Sequence, residues 1–137
     1  MKILVTNPPW PGPGYGARSD VRWPHKRSDK LLEHPIYLAY VVAVLKKAGF
    51  EVDFVDGILD ELSIHEFAKV VKNKQAKMVI LETSTPSIGY DLLTAKTLKE
   101  EIKDIFVVWG WHSAFSSSSS PIKENKFILL RMLSSDL

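Results

Sequence analysis

The chain has no cysteine among its 137 residues. That removes disulfides, thiolate metal sites and any cysteine-held iron–sulfur cluster from what it can build by itself. It also lacks an excess of charge. With 18 basic and 16 acidic side chains the net charge is +2, and the lysines are spread along helical stretches instead of forming a block. Neither nucleic acid nor a membrane surface is expected as a partner. No apolar run reaches the roughly 20 residues of a membrane span, and no signal-peptide pattern precedes the first strand. The expected location is the cytoplasm.

What is present is an alternation of strands and helices. Four short apolar segments read as strands: Lys2 to Thr6, Glu51 to Val55, Met78 to Leu81 and Ile105 to Trp109. All but the second are apolar nearly throughout, as strands covered on both faces are. Between them lie helical patterns over Pro35 to Ala48, Ser63 to Asn73 and Ser87 to Lys103. Pro35 suits a first helical position, Gly49 suits a C-cap with positive φ, and Ser63 with Glu66 forms a capping box. In the third helix Leu92, Leu93, Ala95, Leu98 and Ile102 form the expected buried side. This order predicts a doubly wound, Rossmann- or flavodoxin-like α/β fold with a parallel sheet.

After Trp109 the pattern decays into a serine run, Ser116 to Ser120, and an apolar stretch, Lys126 to Leu133. We expect an α/β domain over residues 1–115 and a serine-rich connection with a tail over 116–137. That leaves the doubly wound sheet incomplete at its carboxyl end. The composition shift at Ser116 also suggests a shortened or altered reading of a longer protein. The first helix is apolar on nearly every side before Lys46. It calls for a cover, supplied either by the long loop before it or by a second copy or partner domain packed on helix 35–48.

Ligands of such sheets sit at the carboxyl ends of the strands. The loop after the first strand carries Pro8, Pro9, Pro11 and Pro13. Proline has no backbone N–H, so this loop cannot cradle phosphate in the manner of a Walker or flavodoxin loop. Asp56, at the end of the second strand, can serve a polar ligand group or merely close a turn. Thr83, Ser84, Thr85 and Ser87 supply four hydroxyls in five positions, of which Ser87 or Thr85 is expected to cap the third helix. Gly110, Trp111 and His112 follow the fourth strand, where glycine permits a sharp turn or a close approach. The spacing of His25, His34 and His112 matches no metal site.

Four stretches, KILVTNPPW, HPIYLAYVVAVLKKAGFEVDFVD, ETSTPSIGYDLLTAKTLKE and VVWGWHSA, resemble the amino-terminal cobalamin-binding-type domain that precedes the catalytic barrel in many radical S-adenosylmethionine enzymes. The resemblance covers residues 1 to about 114. It implies a cobalamin site made by Asn7, Pro8, Asp56, Ser84, Thr85, Gly110, Trp111 and His112. No histidine here stands in a DxHxxG context, so ligation of cobalt by a histidine of this chain is not implied. Trp111 stands where the family has a second glycine, and it would crowd the channel for the nucleotide tail. The radical domain with its three-cysteine motif is missing, so the chain alone is not expected to be catalytic. The rival reading from the same residues is a structural or oligomerisation module that binds no ligand.

Overall fold

The computed structural model describes residues 1–10 and 34–111. Four strands, β1 (Lys2–Asn7), β2 (Glu51–Asp56), β3 (Met78–Thr83) and β4 (Phe106–Trp111), alternate with three helices, α1 (Ile36–Lys47), α2 (Ile64–Asn73) and α3 (Ile88–Glu101). The strands form one sheet in the order β2-β1-β3-β4, parallel at every pairing. This is the doubly wound α/β arrangement the sequence predicts. The tail assigned to residues 116–137 lies outside the described residues.

Side-chain alternation along each strand divides the apolar residues between two cores. Leu4, Val55, Val79 and Leu81 face α2 and α3, where they meet Phe67, Ala68, Val71, Ala95 and Leu98. Ile3, Val5 and Val52 face α1 and meet Leu38. Both faces are therefore occupied, which is why β1 and β3 are apolar almost without interruption.

Helix ends follow local chemistry. Ser63 accepts the Glu66 N–H while the Glu66 carboxylate accepts from the Ser63 N–H, completing the capping box. Gly49, at φ +86°, ends α1. Its N–H donates to the Lys46 carbonyl and that of Phe50 to the Leu45 carbonyl, a Schellman motif. The same motif ends α2 with Gln75 at φ +55°. Pro35 is the residue before α1, not its first helical residue.

One helical face differs from expectation. Leu92 and Leu93 of α3 are exposed, whereas Asp91, Thr94 and Thr97 are buried beside Ala95 and Leu98. Thr94 and Thr97 each donate to the carbonyl four residues earlier, so their hydroxyls are satisfied and their methyl groups pack like those of valine. On α1 only Leu38 is fully buried, and Ile36, Tyr37, Tyr40 and Val44 are exposed. Among the described residues no helix is long and apolar enough to cross a membrane.

Candidate functional site

The strands run one or two residues further than their apolar patterns. Asn7 pairs with Asp56, Glu82 with Gly110, and Thr83 with Trp111. Residues placed in loops by sequence reasoning thus form the last rungs of the sheet. Their polarity hid this, because the hydrogen-bond ladder continues where hydrophobicity stops.

Two of these rungs line up in one row, although the paired register of β1 and β3 ends one position earlier, at Thr6 and Leu81. Thr6 of β1 lies beside Leu81 of β3, which brings Asn7 beside Glu82 one rung later. The row reads Asp56, Asn7, Glu82, Gly110. By alternation its side chains share the α1 face with Ile3, Val5, Met78 and Ile80. With strands roughly 4.8 Å apart, the row is about 14 Å long. It lies at the topological switch point: β1 leads into α1 on one face and β3 leads into α3 on the other, so the chain parts between Asn7 and Glu82.

Each member of the row has a distinct local environment. Asp56 is 5% exposed, and its Oδ1 accepts the N–H groups of Ile58 and Leu59 at 3.2 and 3.1 Å, which fixes the turn after β2. Asn7 is fully buried, its carbonyl accepting from the Gly57 N–H at 2.9 Å. Neither Oδ1 nor Nδ2 of its amide has a hydrogen-bond partner among the described residues. Glu82 is a buried carboxylate that sequence reasoning did not single out. Its signal is an acid at an inward-facing strand position.

Gly110 takes no positive φ and makes no turn. Among the described residues a Cβ there would find only the Leu81 carbonyl, at 3.8 Å. Among the described residues neither a sharp turn nor a close approach occurs at this glycine; it leaves its place in the row without a side chain.

Beyond β3 the hydroxyls form a network of their own. Thr83 Oγ1 and Ser87 Oγ both donate to Asp91 Oδ2, at 2.7 and 2.6 Å. The Ser84 N–H donates to Ser87 Oγ at 3.1 Å, and the two serine hydroxyls lie 3.0 Å apart. Ser87 precedes α3, yet its hydroxyl makes no helix cap: its backbone is helical, at φ −99° and ψ −9°, and not extended as a capping residue's is, and its oxygen takes the Ser84 N–H instead. Ser84, Ser87 and Asp91 are buried and Thr85 is exposed. Asp91 was legible only as a lone polar residue four positions after Ser87.

Of the predicted site residues, Asn7, Asp56 and Gly110 share one row and Pro8 follows it, buried. Ser84 and Thr85 belong to the neighbouring loop. Trp111 ends β4, though its side chain lies outside what is described, as do His112 and His25 entirely. His34 is exposed ahead of α1. Among the described residues no cluster of three or more His, Cys, Asp or Glu could hold a metal ion.

Two curated proteins are similar in sequence. An uncharacterised methyltransferase from Pyrococcus horikoshii is 32% identical over 111 residues, which cover 80% of this chain and 21% of that protein. The anaerobic magnesium-protoporphyrin IX monomethyl ester cyclase of Cereibacter sphaeroides is 28% identical over 117 residues, 84% of this chain and 17% of the cyclase. The chain therefore spans about a fifth of the length of the curated relatives it matches. No family model matches it. No solved structure matches it.

Proposed function

We propose that this chain is a cobalamin-binding-type module associated with radical S-adenosylmethionine chemistry, its site at the carboxyl ends of the strands. One observation carries the reading: a polar row, Asp56, Asn7, Glu82 and Gly110, crosses a buried parallel sheet at its switch point, where such sheets take ligands. Similarity to a methyltransferase and to a cyclase acting on a tetrapyrrole ester agrees with it.

The residues fit the group. A buried amide without a partner in the described structure and a bare glycine in the same row suit a large ligand rich in hydrogen-bonding groups. Asn7 and Gly110 would hold it, with Thr85 exposed at the loop edge. When bound, cobalamin supplies a cobalt centre able to carry an alkyl group. The chain's own residues do the rest. The Asp56 turn fixes the end of β2, and the Asp91 network sets the path of the loop after β3. Lacking cysteine, the chain holds no cysteine-bound cluster, and it serves as a binding partner to chemistry located elsewhere.

Titration with hydroxocobalamin, followed by the corrin visible spectrum, tests this in the parent chain and in Trp111→Gly. Binding in the parent, or gained in the variant, supports the module; the gain would also identify Trp111 as the group crowding the channel. No binding by either at high micromolar concentration sinks the reading.

The exposed Ile36, Tyr37, Tyr40 and Val44 of α1 favour a second reading, a module that associates through this helix and binds no ligand. Sedimentation of the parent and of Tyr40→Lys separates the two. A dimer dispersed by the substitution, with no cobalamin bound, supports association alone.

A further inference from the structure

The Asn7 amide is the least expected group in the row. A buried amide that makes no hydrogen bonds forfeits those it had with water, and native proteins rarely leave both ends of one in that state. Oδ1 and Nδ2 are both buried and both without partners among the described residues, although carboxylates stand on either side of Asn7 in the row. The backbone of Asn7 is fully engaged, its carbonyl taking both the Gly57 N–H and the Thr6 hydroxyl. Structural needs are met by the main chain, and the side chain is left over.

The chemistry of what would satisfy it follows from the surroundings. An asparagine amide offers an acceptor and a donor side by side, so its complement is a group with a donor and an acceptor at the same spacing. Asp56 and Glu82 flank it, so an anionic group such as phosphate or carboxylate is disfavoured by like charge. The loop that follows begins Pro8-Pro9 and has no N–H there to hold an anion. What remains is a neutral donor–acceptor edge.

We propose that Asn7 is a specificity-determining residue that pairs through its amide with a neutral carboxamide of the bound ligand. The inference rests on the cobalamin reading and deepens it: it assigns the recognised group to the amide-bearing corrin, not to the nucleotide tail. An adenine edge presents the same donor and acceptor pair, so the experiment separates these sources.

The test measures affinities for hydroxocobalamin, for cobinamide, which keeps the corrin amides but lacks the nucleotide, and for adenosine. They are measured in whichever of the parent or Trp111→Gly chain binds, with Asn7→Asp and Asn7→Leu introduced into it. Asn7→Asp keeps the outline and loses both N–H donors; Asn7→Leu keeps a branched outline without polarity or charge. The expected result is at least a tenfold loss for hydroxocobalamin and cobinamide alike in both variants, with Asn7→Leu melting no lower than its parent. Binding of hydroxocobalamin unchanged in either variant overturns the inference and leaves the cobalamin module standing. Adenosine binding that is lost on substitution while cobinamide is unaffected overturns the carboxamide in favour of the base. Failure of both variants to fold overturns it too, since the amide would then serve the fold. No corrin binding in any chain overturns the module and this pairing together.

Discussion

Gly57 lies directly against Pro9. A Cβ on Gly57 would fall 2.9 Å from the Pro9 nitrogen, 3.0 Å from its Cδ and 3.1 Å from the Asn7 carbonyl oxygen, while the Gly57 N–H donates to that same carbonyl at 2.9 Å. The turn after β2 is thus fitted to the exit of β1. Two of the clashing atoms are backbone and the third belongs to a rigid ring, so nothing can rotate away.

Gly57→Ala should therefore destabilise by about 1–3 kcal/mol, the usual cost of forcing extra volume into a packed site. Urea denaturation measures it. Displacing Asn7 should weaken hydroxocobalamin binding in the same variant.

Asp91 is expected to matter more to stability than its place in a helix suggests. Asp91→Ala strips the acceptor from the Thr83 and Ser87 hydroxyls at once and should cost roughly 2–4 kcal/mol. Asp91→Asn, which keeps one acceptor oxygen, should cost less. An equal loss in both would show that charge, not acceptance, holds the loop.

Gln75→Gly should stabilise the chain by about 0.5–1 kcal/mol. Gln75 occupies the left-handed region at φ +55°, where a Cβ is costly and glycine is not. Thermal melting shows the gain as a higher midpoint.

The edge pair β1 and β2 gives stability a defined pH dependence. Lys2 Nζ lies 3.2 Å from Asp53 and 3.3 Å from Glu51, and Lys74 reaches Asp53 at 3.3 Å. The hydrogen bond from Lys2 holds the Asp53 carboxyl below its ordinary 3.8, and hydrogen bonds to Asp53 and Glu51 raise the Lys2 ammonium above 10.5. A lowered acid stabilises above its ordinary value and loses that contribution as pH falls through the folded one. A raised base stabilises below its ordinary value and loses it as pH rises through the folded one. Urea midpoints should be level between about pH 5 and pH 9 and fall at both ends. Asp53→Asn should blunt the acid limb; an unchanged limb would remove this pair as its source.

The order of elements was legible in the sequence because apolar periodicity and punctuation agree: Ser63 with Glu66 starts α2, and Gly49 stops α1. The strand ends were not legible. Asn7, Asp56, Glu82 and Gly110 break the apolar pattern while keeping the ladder, and register across strands is a relation between distant segments. The α3 face was misassigned for a related reason. Hydrogen bonds that close within the helix let Thr94 and Thr97 lie in the core, and a hydrophobicity pattern cannot see them. Asp56 was singled out by its position at a strand end and Asn7 through the family resemblance, while Glu82 reads in the sequence only as one more acid, a residue type that usually faces water.

The polar row sits above the two cores, which are built from lower rungs of the same strands. Folding energy and recognition are thereby separated along the strand axis, like a foundation and its fittings. Asp56 is held by the turn it closes, but Asn7, Glu82 and Gly110 can be exchanged among polar or small residues with little loss of the apolar burial beneath them. A chain built this way can change what it recognises in few steps without first surrendering the fold.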